Sequence, residues 1–188
     1  GSKNIIADIS FNSFPFDILD LFIKPVSELK GKATGDIQLY GPIKSYRING
    51  NCLVHDVGFK IPYLNTEYSN QYEPLIVNFS QDTISLKDFS FYDQKHTTNA
   101  IATGFIKHNA LKNMDYSINI TSDSLLSLNT TEYDNETYYG NVFLGGDMLI
   151  DGNPENIIMN IDGFSKDASQ LMIPLSKSKE IRENKFIQ

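Results

Sequence analysis

Apolar and polar residues alternate along most of the chain. The pattern is plain in Asp36-Ile37-Gln38-Leu39-Tyr40, in Phe59-Lys60-Ile61 and in Leu75-Ile76-Val77-Asn78-Phe79. It continues through Thr83-Ile84-Ser85-Leu86, Tyr116-Ser117-Ile118-Asn119-Ile120, Met148-Leu149-Ile150 and Met159-Asn160-Ile161. Successive side chains on a strand point to opposite faces, so this period builds a sheet with one dry and one wet face. Gly41-Pro42, Asn49-Gly50, Asp151-Gly152-Asn153-Pro154 and Asp162-Gly163 fall between the runs and read as turns. Strands of this length with regular turn signals predict an all-β protein. Alternation assigns Ile37, Leu39, Ile48, Ile61, Val77, Phe79, Ile118, Ile120, Ile150, Ile161 and Ile173 to the inward, dry face.

One stretch departs from the period of two. From Asp17 to Leu29 the apolar residues Ile18, Leu21, Phe22 and Val26 recur at helical spacing, and Pro25 breaks the run into short pieces. A second short turn is expected at Ser122–Leu126, where Ser122 or Asp123 offers a cap.

The chain also repeats itself. Gly35-Asp36-Ile37-Gln38-Leu39-Tyr40-Gly41-Pro42 leads to Tyr46-Arg47-Ile48-Asn49-Gly50 and on to Phe59-Lys60-Ile61-Pro62. Gly146-Asp147-Met148-Leu149-Ile150-Asp151-Gly152-Asn153-Pro154 leads likewise to Ile158-Met159-Asn160-Ile161-Asp162-Gly163 and to Met172-Ile173-Pro174. A degenerate middle copy starts near Ala102-Thr103-Gly104-Phe105-Ile106-Lys107. Units of about 31–64, 99–130 and 138–176 predict a sheet that grows by repetition within one domain, 3–188. Gly1-Ser2 reads as a cleavage scar, and the chain as a piece of a longer protein.

Composition narrows the function classes. Sixteen Lys and Arg against 23 Asp and Glu give a net charge of −7, with a pI near 4.9. That balance disfavours a surface built to neutralise phosphates, so no nucleic-acid partner is expected. It also disfavours a polybasic membrane anchor. No apolar run approaches the roughly 20 residues of a membrane-spanning helix. The single cysteine, Cys52, excludes an internal disulfide and reads as a small core residue.

The chemistry-bearing motifs dissolve on inspection. Ser27-Glu28-Leu29-Lys30 has the Ser-x-x-Lys spacing of penicillin-recognising enzymes but no Lys-Thr-Gly partner. His55, His96 and His108 lack any two-imidazole metal spacing; His55-Asp56 is expected in a turn. Glu132, Asp134 and Glu136, and Asp147 with Asp151, lack the ligand offsets of a calcium loop. Four glycosylation sequons, at Asn78, Asn119, Asn129 and Asn135, are little more than this Asn, Ser and Thr content yields. With no nucleophile and base in view, no enzyme activity, metal or cofactor is expected.

The order of several weak motifs resembles the TamB family, the translocation and assembly module subunit, in its C-terminal region and in the form found in Bacteroidetes-type bacteria. The residues are Asn129-Thr130, Tyr138-Tyr139-Gly140 through Gly145-Gly146, Ile150 through Asn156, Leu171 through Ser176, and Asn184-Lys185-Phe186-Ile187. Upstream, Phe14-Pro15-Phe16 through Gly31, then Gly35 to Pro42, resembles the family's short helix leading into a strand repeat. Residues 65–100 carry the weakest likeness. The resemblance implies a repeat-built antiparallel β-taco, a U-shaped sheet with an apolar concave groove, and one short helical segment at about 17–29. It implies a periplasmic segment of an inner-membrane-anchored protein reaching the outer membrane, related to AsmA-like bridge proteins. Its implied partners are an Omp85-type outer-membrane barrel (TamA-like or BamA-like) and apolar cargo, either phospholipid acyl chains or nascent outer-membrane protein strands. A stand-alone β-sandwich module, an adhesin or carbohydrate binder, is the competing expectation; its two sheets would seal one core between them.

Overall fold

Eleven strands form one antiparallel sheet in the computed structural model, which describes residues 3–21, 26–93 and 95–175. In chain order they are β1 (Asn4–Pro15), β2 (Ser27–Pro42), β3 (Arg47–Ile61), β4 (Thr66–Asn70), β5 (Leu75–Gln81), β6 (Thr83–Asp93), β7 (Thr98–Asn109), β8 (Lys112–Thr130), β9 (Tyr139–Gly152), β10 (Ile157–Ser165) and β11 (Gln170–Met172). Their spatial order is β1-β2-β3-β4-β6-β7-β8-β9-β10; β5 pairs β3 and β6, and β11 pairs β9. Apart from β4–β5 and β10–β11, neighbours in sequence are therefore neighbours in space, as expected for a sheet laid down largely hairpin by hairpin.

The predicted helix is corrected. Among the described residues of that stretch the helical part is Phe16–Leu21, a six-residue 3-10 turn, and Ser27–Leu29 already belongs to β2. Phe22 and Pro25, on which part of that expectation rested, lie outside the described residues. Four predicted turns are also overturned. Asn49-Gly50 lies inside β3, Asp162-Gly163 inside β10, and Ser122–Leu126 inside β8. Gly50 misled because it allows a strand conformation that other residues avoid. Gly50 has φ +135° opposite Ile37, and a Cβ there would collide with the Asp36 carbonyl oxygen. His55-Asp56 likewise sits within β3, at a kink where Asp56 has φ 53°, not in a turn.

The two similar sequence copies form similar hairpins. In β2–β3, Tyr40 faces Arg47, and in β9–β10, Gly152 faces Ile157. The expected third strand of the first copy is the far half of β3 itself, whereas Leu171-Met172 of the second copy lies in the separate β11.

Bulges fall in a line across the sheet. Registers slip at Phe11/Phe14 against β2, at Ser27/Lys30/Lys32 against β3, at Leu86/Phe89 against β7, and at Ser122/Leu125 against β9. An extra residue in one strand raises local twist and bends the ladder. Beyond this line the sheet folds over. β4 and β8 are three ladder steps apart, about 14 Å in a flat sheet, yet the Tyr68 hydroxyl of β4 donates to the Leu126 carbonyl of β8 at 2.6 Å.

Candidate functional site

Cross-strand partners share a face, so the pairing registers show which side chains line up. One row runs Ile9, Ile37, Gly50, Phe79, Ile84, Ile106, Tyr116, Gly152, Ile157 across nine strands. The next runs Phe11, Gly35, Cys52, Val77, Leu86, Gly104, Ile118, Ile150, Met159. A flanking row brings Phe89, Ala102, Ile120, Met148 and Ile161 together, and Leu39 stands against Ile48. No charged residue interrupts either complete row. Glycines beside Ile37, Phe79 and Ile118 leave room for those larger side chains on the inside of the bend.

The opposite face is wet and cross-linked. Ser10 donates to Asp36 at 2.5 Å, Gln38 to Asp8 at 2.7 Å and Thr121 to Asp147 at 2.6 Å.

The inward residues differ in depth. Ile48 is 2% exposed and forms part of the floor. Ile37, Leu39, Val77, Phe79, Ile118, Ile120 and Ile150 are half-buried. Exposure rises toward the rims, with Ile9 on one side and Ile157, Met159 and Ile161 on the other; Ile161 is 54% exposed. Ile161 joins Ile120, Leu125, Leu144 and Met148 around a depression of about 30 Å³. Ile61 packs against the buried core beyond the bulge line. Ile173 is not brought to this face. It follows the three-residue β11, has no strand partner among the described residues and is 64% exposed.

Beyond the bulges the same face closes into a core of Val54, Val57, Tyr68, Phe89, Phe91, Ala100, Ala102 and Leu125. Tyr68 and Phe91 meet edge to face at 5.2 Å, and Phe59 touches both rings at 5.4 and 5.6 Å. Polar clasps hold the fold-over shut. The Asn65 side-chain amide donates to the Asn129 carbonyl at 2.9 Å, and the Asn129 amide donates back to the Asn65 carbonyl at 3.3 Å. The Tyr63 and Tyr138 hydroxyls share a hydrogen bond. Burial pushes the Tyr68 phenol up to about 12, helped by the nearby Asp93 carboxylate and opposed by Thr66. Tyr138 is also raised, first by its bond to Tyr63.

A cavity of about 440 Å³ opens at this closed end, and its wall mixes Lys30, Lys60 and Lys95 with Glu28, Glu67 and Asp93. Lys60 lies 3.5 Å from Glu28 and 3.6 Å from Glu67, so its charge is met within the wall. This lining suits water and polar groups, unlike the trough.

The clasp residues escaped the sequence reading. Thr66, Tyr68 and Asn70 alternate as buried residues of β4, yet the strand reads Thr-Glu-Tyr-Ser-Asn, without an aliphatic side chain. The one signal was Asn65 after Pro62-Tyr63-Leu64, a turn residue that tolerates the left-handed conformation, and its φ is 51°.

The three histidines lie apart. His55 is exposed in β3, and His96 is bonded through Nδ1 to Asp93 at 3.1 Å. His108 is buried near the β7–β8 turn, where burial lowers its pKa against the pull of Asp82. Comparison of the chain with family models, with curated proteins and with solved structures finds no match.

Proposed function

We propose that this chain is a non-enzymatic trough segment of a TamB-like envelope-spanning protein, offering a dry face to apolar cargo in the periplasm. The observation that carries the reading is the pair of uninterrupted apolar rows across nine strands, with the outer strands exposed. A purely structural core would be covered, as it is beyond the bulges. A trough left open on a folded sheet is instead surface for a ligand that brings its own apolar groups, and large exposed apolar patches mark such sites. One sheet whose two edge strands have no further partner among the described residues also accords better with a strand-built conduit than with the two sealed sheets of a sandwich. The cargo is acyl chain or nascent outer-membrane strand, and an Omp85-type barrel is the outer-membrane partner.

A photoreactive residue placed in cells at Ile150, inside the trough, should capture lipid or an outer-membrane protein. The same residue at Asn160, on the wet face of β10, should capture neither. Equal labelling from both positions, or from neither at normal protein level, would remove the trough from consideration and leave a scaffold.

A further inference from the structure

The two edges of the sheet are built differently. β1 carries a register break between Phe11 and Phe14, a residue at positive φ in Ser13, and Pro15. Its wet-face residues Asp8 and Ser10 are engaged by Gln38 and Asp36. These are the devices by which an edge is kept from pairing with another chain. β10 has none of them. Its pairing with β9 is unbroken from Ile157 to Ser165, it contains no proline, and every residue of it is exposed. Ile157, Met159 and Ile161 stand on the dry face, and Ile158 and Phe164 flank Asn160 and Asp162 on the other, so this edge, unpaired among the described residues, carries large apolar side chains on both faces.

We propose that β10 is a self-association edge, on which two copies of this chain pair β10 with β10, antiparallel, about a twofold axis at Ile161. A second copy fits this edge because a symmetric register exists that sets no like charges together. Antiparallel partners in a symmetric pair have position numbers with a constant sum. An odd sum would join the dry face of one copy to the wet face of the other, because side chains alternate. Among the even sums, centring on Asp162 sets two carboxylates opposite each other, and centring on Asn160 sets Asp162 against Ile158. Centring on Ile161 does neither. It places Asp162 against Asn160, Phe164 against Ile158, Met159 against Gly163 and Ile161 against itself. The only acid of the strand then meets an amide, and each large apolar side chain except Ile157, which faces Ser165 at the end of the strand, meets an apolar residue or glycine. A twofold perpendicular to the sheet keeps both dry faces on one side, so the apolar rows run on from one copy into the next.

The contact is modest. Nine residues span about 30 Å, and side chains on both faces of such an edge bury roughly 1,200 Å² in total, the low end for a specific interface. The expected dimer is therefore weak, with a Kd of about 10–100 μM. This pairing does not depend on what the trough carries.

Sedimentation of the whole chain from about 2 to 200 μM reads the proposal directly, and the range brackets that Kd. The unaltered chain should pass from monomer to dimer across it. Asn160→Lys should tighten the dimer about fivefold or more, since symmetry creates two cross-strand pairs with Asp162, and the gain should vanish in about 1 M salt. Ile161→Lys should weaken it at least about tenfold by setting two ammonium groups together at the axis. Both positions are exposed, and circular dichroism checks that each variant is folded. A chain monomeric throughout overturns the proposal and leaves the edge to a strand of another protein. A dimer weakened by Asn160→Lys, or indifferent to Ile161→Lys, overturns the register and moves any contact to β1 or elsewhere.

Discussion

The same apolar face meets two fates on either side of the bulge line. On the regular side, β2, β3 and β5–β9 keep their register through both complete rows, and the face stays a trough whose rims reach solvent. On the bulged side, positive-φ residues at Glu28, Asp56 and Asp88 bend the strands, and the face shuts on itself around Tyr68, Phe89 and Phe91. Apolar character alone does not distinguish the halves, since apolar residues line the face in both, aliphatic in the trough and partly aromatic in the core. Backbone geometry does. One extra residue per strand turns an apolar surface into a core, and regular pairing leaves it available. The closed half then stabilises the sheet on which the open half is displayed.

The largest test of that contrast places a carboxylate on each side. Val54 is fully buried among the closed core, and Val54→Asp should cost more than about 4 kcal/mol, enough to unfold the chain. Ile118 packs on the core from the half-buried floor, and Ile118→Asp should cost about 2–3 kcal/mol. Ile161 on the rim is half-exposed, and Ile161→Asp should cost under about 1 kcal/mol. Urea melts of the three variants give the order. An Ile161 variant as unstable as the Val54 variant would mean that the rim is covered and that no trough exists.

That order was half legible in the sequence. Alternation placed Ile37, Val77, Ile118 and Ile150 on one face correctly, because a period of two is a direct consequence of the pleat. It could not grade them by depth, since burial depends on which strands fold over. Bulges were invisible for the same reason. Asp56 and Asp88 are ordinary polar residues whose left-handed backbone is set by the ladder on either side. Glycine was overread. Asn49-Gly50 and Asp162-Gly163 have the composition of hairpin turns, but tertiary pairing carried the strands straight through them. The clasp was hidden because Asn65, Tyr68 and Asn129 gain burial by hydrogen bonding, which leaves no hydrophobic period.

A glycine tests the regular half next. Gly50 stands between Ile37 and Phe79 in the first complete row, at a φ that L side chains avoid. Gly50→Ala should cost about 2–3 kcal/mol through backbone strain and the clash with Asp36. Gly41, in the β2–β3 turn region, has φ +100° but open space around a Cβ, so Gly41→Ala should cost only about 1 kcal/mol. The difference, read from thermal melts, measures how tightly the floor is closed. Equal losses would mean that dihedral strain alone acts and that the strands can part to admit a methyl.

A modest effect at neutral pH, and the most informative about the closed half, belongs to Tyr68. Tyr68→Phe keeps the ring against Phe59 and Phe91 but leaves the Leu126 carbonyl without its donor, a loss of about 1–2 kcal/mol. Its pH dependence carries a definite sign. The folded protein holds the phenolic proton to about 12, against 10.0 for the free side chain. Between those values the unfolded chain has released the proton and the folded one has not, so folding opposes ionisation. The associated stability is complete below pH 10 and is lost as pH rises toward 12. Two pH units correspond to about 2.7 kcal/mol. The phenylalanine variant has no such group, so its disadvantage should shrink above pH 10 and vanish near pH 11. Above that point the variant should be the more stable of the two. Other tyrosines titrate equally in both proteins and cancel in the difference. Parallel stability curves from pH 8 to pH 12 would mean that the hydroxyl reaches water in the folded state. The fold-over would then be held by the asparagine pair and the aromatic packing without it.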